Sequence, residues 1–190
     1  MPTYPGPIRD EPLCIELHNT LYADRGANVD GLCDAAGLRA WLDAFAGRLP
    51  GDARAVDLER RDDFLGLRAA VREALQGTLE NRAISATALS VLNRYSAGSP
   101  QSLRIAQRGR ARSSEVRHHG ATATDVVLGA IAADAIALVG GPRSAELRRC
   151  GAPGCVLMFV KDHPRREWCS AACGNRARQA RHYARRRRRS

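Results

Sequence analysis

The chain has 190 residues, room for one ordinary domain and a small module. A hydrophobic fraction of 44% supports a packed core and excludes a wholly disordered chain, and only 5% aromatics means that the core is mostly Ala, Leu and Val. Net charge is +10, from 29 Arg and Lys161 against 20 acids, a surplus that points to a polyanionic partner.

Residues 1–12 are Pro-rich and read as an extended lead-in. Leu13–Thr20 fits either a short strand or the start of a buried helix, because periodicity cannot decide over eight residues. Residues 22–33 read as a loop. Asp34 offers an N-cap to a helix whose Leu38, Trp41, Leu42, Phe45 and Leu49 fall at helical spacing. A second helix is expected from about Val56 to Leu79, on the stripe Phe64, Leu67, Val71, Leu75 and Leu79. Ser85 caps a third through Tyr95, stopped by Gly98-Ser99-Pro100. Gln101–Gln107 and Arg112–His118 alternate as strands, with Gly109 between them as a hairpin turn. Thr122 or Thr124 opens an Ala-rich helix to Val139, ended by Gly140-Gly141-Pro142. Apolar residues wrap nearly round it, which marks a central buried helix.

The most apolar run, residues 126–141, is short for a membrane span and carries Asp134. Met1–Pro7 lacks the basic-then-apolar order of a signal peptide. A cytoplasmic, nucleoid-associated protein with no membrane partner is therefore expected. In such a reducing compartment the six Cys read as metal ligands or core thiols rather than disulfides.

Charge divides the chain. Residues 1–142 carry a formal −1 and residues 143–190 carry +11, so a near-neutral body is joined to a strongly basic module. Within that module Cys150, Cys155, Cys169 and Cys173 give C-x4-C, thirteen intervening residues, then C-x3-C. Zinc takes four soft ligands at tetrahedral corners, and two cysteine pairs from two local elements supply them. Gly and Pro in Cys150-Gly-Ala-Pro-Gly-Cys155 permit a tight turn, and the i, i+4 spacing of Cys169 and Cys173 puts both sulfurs on one helical face. Four Cys close the coordination sphere, so the zinc is structural. Val156–Val160 and Arg166–Trp168 read as two strands between the pairs, and Cys14 and Cys33 as small core residues. The fold class is mainly α (α+β): a helical N-terminal domain over 1–142 with a small antiparallel β element, then a treble-clef-like four-cysteine zinc finger over 143–190.

Ser170 can cap a helix that runs into the terminal Arg run, Arg185–Arg189. Cys173, Ala177, Ala180 and Ala184 step by 4, 3 and 4 and form a narrow seam against the metal core. Opposite lie Asn175, Arg178, Gln179, His182 and Arg186, flanked by Arg176, Arg181 and Arg185. Small residues behind with Asn, Gln, Arg and His in front suit a DNA major groove, where Arg pairs with guanine and Asn or Gln with adenine. The Arg run suits phosphates. The competing reading is a solvated basic face, with Asn175 and Arg176 bracing the finger's own backbone.

Arg149-Cys150, Cys155, Phe159, Trp168-Cys169-Ser170 and Cys173-Gly174-Asn175-Arg176 resemble the CGNR zinc finger, over about residues 145–185. That finger typically follows an ABATE domain in bacterial proteins described as stress-induced transcription regulators. Leu13–Thr20 resembles the opening segment of that domain, which tends to end in Asn-Thr, and Leu67-Arg68 with Val71–Leu75 resembles its Arg-containing helix. Between its Cys pairs the family often has an Asp-Thr-Ser-Arg-Asn-like loop; here that stretch is Lys161–Arg166, with Asp162 and Arg166 at the matching positions. The resemblance implies DNA binding through the finger and ligand sensing or dimerisation through the body.

Glu16, His18, Asn19 and Thr20 place polar groups in an otherwise apolar segment, and Arg68 and Arg72 lie on an amphipathic helix. One reading is a small-effector pocket lined by His18, Asn19 and Arg68; the other is a capping network beside a solvated helix face. His118 and His119 are adjacent strand residues facing opposite ways, which argues against a second metal site with His18. With no Gly-rich phosphate loop and no nucleophile motif, no catalytic residues and no enzymatic activity are expected. The expected function is a DNA-binding transcription regulator with a structural zinc ion. Its partners are DNA, a small-molecule effector and a second copy of the chain; an RNA-binding or ribosome-associated zinc module is the alternative.

Overall fold

A computed structural model of the chain describes residues 3–187. Leu13–Thr20 resolves as a helix: α1 (Leu13–His18) starts at Pro12, whose carbonyl accepts from the amides of Ile15 and Glu16 at 2.9 Å. Asp134, on a later helix, accepts from the Cys14 amide at 2.9 Å, which satisfies a helix-start donor and explains the lone acid in an apolar run. The lead-in is extended, as expected, but packed: Tyr4 and Glu11 are buried.

The segment read as a loop over 22–33 contains a hairpin, β1 (Leu21–Asp24) and β2 (Ala27–Asp30). Its two-residue turn, Arg25-Gly26, has φ of 47° and 88°, the left-handed pair that matches strand twist. Such a turn favours Asn-Gly or Asp-Gly, and the Arg at its first position hid the signal. Asp34 caps α2 (Ala35–Ala44) by accepting from the Gly37 amide at 2.7 Å. Trp41 and Phe45 stack at 5.1 Å in the core.

The second long helix begins later than its stripe suggests. α3 runs Arg61–Leu79, and residues 53–60 form two single 3-10 turns instead. Asp52 and Asp57 cap those turns by accepting from the Arg54 and Glu59 amides, a local alternative to helix continuation. α4 (Ala86–Ala97) is capped by Ser85. β3 (Gln101–Arg108) and β4 (Ala111–His118) form the expected hairpin, turned at Gly109 with φ of 59°. Among the described residues nothing covers it: Leu103 and Ile105 are 77% and 76% exposed, so it projects as an arm.

α5 (Ala123–Gly140) opens with a reciprocal Thr122–Asp125 capping box. Its 18 residues, mean hydropathy 1.8, are by composition long and apolar enough to cross a membrane, which corrects the shorter run read from the sequence. Its place is the centre of the fold, packed on α1, α3 and α4. Gly129 permits the α4 crossing, since a Cβ there would meet the Ser99 Cβ at 2.7 Å.

The module after α5 contains β5 (Leu147–Arg149), β6 (Met158–Val160) and α6 (Ala171–Arg187). β5 pairs antiparallel with β6, so the hairpin lies on either side of the first Cys pair. Arg166–Trp168 is not a strand, contrary to expectation. Arg166 is instead drawn away to Val160, Asp162 and Glu11. Leu147, Met158 and Val160 enter the body's own hydrophobic core, whereas Phe159, Leu157, Ala177 and the cysteines form a second cluster. The described residues are thus mainly helical with three small antiparallel hairpins.

Candidate metal centre and nucleic-acid interface

The first Cys pair sits on the loop between β5 and β6. The Cys150 amide donates to the Leu157 carbonyl at 2.9 Å and the Cys155 amide to the Ala152 carbonyl at 3.0 Å, with Gly154 at φ 70° making the turn. The second pair brackets the start of α6, where Ser170 Oγ accepts from the Cys173 amide at 3.2 Å. All four Sγ atoms lie within 4.8 Å of one another, with Cys155–Cys169 at 3.8 Å and Cys169–Cys173 at 3.5 Å. Four sulfurs about 2.3 Å from a tetrahedral zinc stand about 3.8 Å apart, so the set fits a structural zinc ion. All six cysteines are free thiols. Cys14 is a buried core residue as expected, but Cys33 is exposed, because it lies in the turn before α2.

The thiols' electrostatics point the same way. Cys155 is pulled down to about 5, first by its hydrogen bond with Cys169, while Cys169 is pushed far up by that bond and by burial. Four crowded sulfurs cannot all ionise without a cation between them, and a divalent ion removes that conflict. Arg176 Nη2 donates to Cys173 Sγ at 3.2 Å, placing a positive charge against the cluster.

Trp168 covers the other side. Its indole lies so close to α6 that a Cβ on Gly174 would sit 2.9 Å from Cδ1. Gly in a helix normally costs about 1 kcal/mol against Ala, and here that cost permits the contact. Gly174→Ala is therefore expected to lose stability, since overpacking costs about 1–3 kcal/mol and outweighs the helix-propensity gain. Faster zinc transfer to a competing chelator is the measurement.

α6 departs partly from the predicted seam. Cys173, Gly174 and Ala177 are buried and Ala180 is half-buried, but Ala184 is exposed because the helix outruns the small finger. Asn175, Arg176, Arg178, Gln179, Arg181, His182, Arg185 and Arg186 are all exposed, on the protruding helix. Near its start the Arg side chains have partners within the finger: Arg176 with Cys173, Arg178 with Asn175 Oδ1, and Arg181 over the Trp168 ring at 5.9 Å. Arg188 and Arg189 of the terminal run lie outside the described residues.

The body's predicted pocket residues separate. Asn19 pairs with the Met158 backbone in both directions at 3.0 Å, acting as a further strand partner for β6. Arg68 forks onto Asp30 at 2.6 and 2.7 Å and donates to Thr20 Oγ1, so both of its terminal nitrogens are engaged within the fold. His18 alone faces a cavity of about 520 Å³ between the body and the β5–β6 hairpin. The sequence reading named Arg72 but left it out of the pocket, and it missed Arg149 and Gln76 on the same walls; it also missed Glu11. Buried Glu11 accepts from the Val160 amide at 2.9 Å and from Arg166, whose guanidinium lies 4.9 Å over the Phe159 ring. Arg72 and Gln76 carry an i, i+4 signal on α3, but nothing in the sequence tied them to Arg149.

Compared with known families, residues 11–142 match the ABATE profile, described as a "putative stress-induced transcription regulator". The chain belongs to the ABATE family. Residues 146–186 match the CGNR zinc finger, so this ABATE protein joins its body to a finger whose four cysteines stand ready for zinc. No curated protein matches the chain. In this ABATE member the Asn-Thr signature has a physical role: Asn19 holds the finger's β6 and Thr20 ties α1 to Arg68.

Proposed function

We propose that this ABATE protein is a cytoplasmic, nucleoid-associated transcription regulator that binds DNA through α6 and responds to a small effector through its body. The observation that carries this reading is the basic helix itself. Its first turns are locked to the zinc cluster with Gln179 exposed on them, and its later turns, which carry His182, Arg185 and Arg186, extend past the finger into solvent. A protruding helix of this width enters a major groove, with Arg and Gln able to read bases. Asn175, Arg176, Arg178 and Arg181 belong to the proposed face, but their contacts within the finger suit them to positioning the helix and meeting phosphates. Catalysis is no part of the reading, and turnover of any metabolite by the zinc-loaded chain would contradict that. A single finger covers few base pairs, so a homodimer on paired half-sites is part of the proposal, checked by sedimentation with and without DNA.

The test is binding of zinc-loaded protein to the DNA upstream of its own gene and to a scrambled duplex, across a salt series. Affinity should fall steeply with salt, with a log–log slope of about −0.9 per phosphate neutralised. Arg185→Ala with Arg186→Ala should flatten the slope by about 2 on both duplexes, whereas Gln179→Ala should narrow the gap between them. A gap of at least about a thousandfold marks a specific regulator. Structured RNA displacing the upstream duplex at equal concentration would replace DNA with RNA as the partner.

A further inference from the structure

The cavity beside His18 has the makings of a binding site. His18 is only 4% exposed, yet both ring nitrogens lack a hydrogen-bond partner among the described residues. A buried imidazole in that state has lost water and gained nothing, a cost that a ligand's polar group would relieve. Burial and the nearby Arg72, Arg149 and Arg68 guanidinium groups hold its pKa down to about 4. The ring is therefore neutral near pH 7, with one donor and one acceptor to offer.

Around it the charge is positive and unspent. Arg72 and Gln76 project from α3 one helical turn apart, and Arg149 projects from β5. Arg72 makes no hydrogen bond or ion pair among the described residues, and Arg149 reaches only the exposed Glu80 at 3.5 Å. Two groups of opposite sign also line the space. Asp30 is already neutralised by the Arg68 fork, and the Cys155 sulfur belongs to the metal. Leu21, Val29, Val156 and Met158 complete an apolar wall. A volume of about 520 Å³ lies within the usual range for small-ligand pockets.

We infer that this cavity binds a small organic anion, a carboxylate or phosphate ester with an apolar body. Its anionic oxygens pair with Arg72 and Arg149, and a polar atom completes the His18 ring. The inference deepens the proposed effector response by assigning the effector's chemical class. It also moves the site from the predicted His18–Asn19–Arg68 trio to His18, Arg72 and Arg149. The anion would touch α1 and α3 of the body on one side and the finger's β5–β6 hairpin on the other. The effector site and the mount of the DNA-binding helix would then share a wall.

The experiment is titration calorimetry of the full zinc-loaded chain, without DNA, with benzoate, phenyl phosphate and inorganic phosphate, and with benzamide as the neutral isostere of benzoate. Imidazole resonances of His18 are followed in parallel. At least one anion should bind and shift the His18 resonances, benzamide should bind at least about tenfold more weakly than benzoate wherever benzoate binds, and Arg72→Gln should weaken the bound anion by about tenfold. Arg72 is exposed and has no hydrogen-bond or ion-pair partner among the described residues, so this variant should fold normally. The relative strength of benzoate and the two phosphates decides between carboxylate and phosphate. Absence of binding by all three anions up to about 10 mM, or anion binding unchanged in Arg72→Gln, would overturn the inference. Because no DNA is present, such a failure would leave the DNA-binding proposal standing to be judged on its own assay.

Discussion

Replacing Cys169 by Ser is expected to unfold the finger and to lower the stability of the body with it. Zinc binding supplies about 10–16 kcal/mol to fingers of this size, and a site with three thiolates and a hydroxyl forfeits much of it. Here the loss does not stop at the module. Leu147, Met158 and Val160 are each no more than 1% exposed and belong to the body's core, not to the finger's own cluster. Fully burying such side chains is worth about 1.5–3 kcal/mol each, against a total stability of about 5–15 kcal/mol for a domain. Chelation or Cys169→Ser should therefore lower the melting temperature of the whole chain by about 10 °C or more, since 1 kcal/mol moves a chain of this size by about 2–4 °C. Circular dichroism melts with and without chelator check this. Cys33→Ser, at an exposed thiol outside the cluster, is the control and should melt as the natural chain does. Two separate transitions, with the body's unmoved by chelation, would show that the shared core does not couple the parts. DNA binding should disappear with the finger, because α6 loses its mount.

The metal centre was legible because its chemistry is written locally. C-x4-C and C-x3-C spacings restrict the sulfurs to one point whatever the rest of the chain does. Capped helices were legible for the same reason: Asp34, Ser85 and Thr122 each hold an amide within three residues. What escaped was set by tertiary partners. Asp57 stops the early start of α3 partly because its amide is committed to Thr124 Oγ1 at 3.0 Å, sixty-seven residues away. The strand partner of β6 lies before the first cysteine rather than after it, and no periodicity over three residues could choose. Asn19 and Arg68 were rightly singled out as unusual polar residues, but a sequence does not tell whether such groups wait for a ligand or for the chain's own backbone. Their hydrogen bonds to Met158 and Asp30 answer for this fold, whereas the His18 ring, without a partner among the described residues, is the one member of the predicted trio that still faces a cavity.

Arg166→Met is expected to be strongly destabilising, because it strands a buried carboxylate. Glu11 is 2% exposed, and burial holds its carboxyl above the ordinary range even with the Val160 amide and Arg166 opposing that shift. Removing one partner of a buried pair typically costs about 3–5 kcal/mol, most of it the penalty of the charge left behind; Arg166 is partly solvated, so about 3 kcal/mol is expected. Two consequences separate this account from simple loss of packing on Phe159. Adding Glu11→Gln to Arg166→Met should recover much of the deficit, since a neutral amide still accepts from Val160 without a charge to bury. Second, the deficit should depend on pH in a fixed direction. A carboxyl whose folded pKa is raised contributes stability that is present below its unfolded pKa of about 4.3 and is lost as pH rises through the folded value. Without Arg166 the folded value rises further, so the variant should trail the natural chain most near neutrality and approach it as pH falls towards 4. Urea melts of both chains at matched pH cancel the contributions they share, including that of Glu16, which burial also raises. A deficit equal at both ends of that window, and untouched by Glu11→Gln, would mean that Arg166 acts through its cation–π contact and its bond to the Val160 carbonyl. The clasp between lead-in and finger would then be a packing device rather than an ion pair.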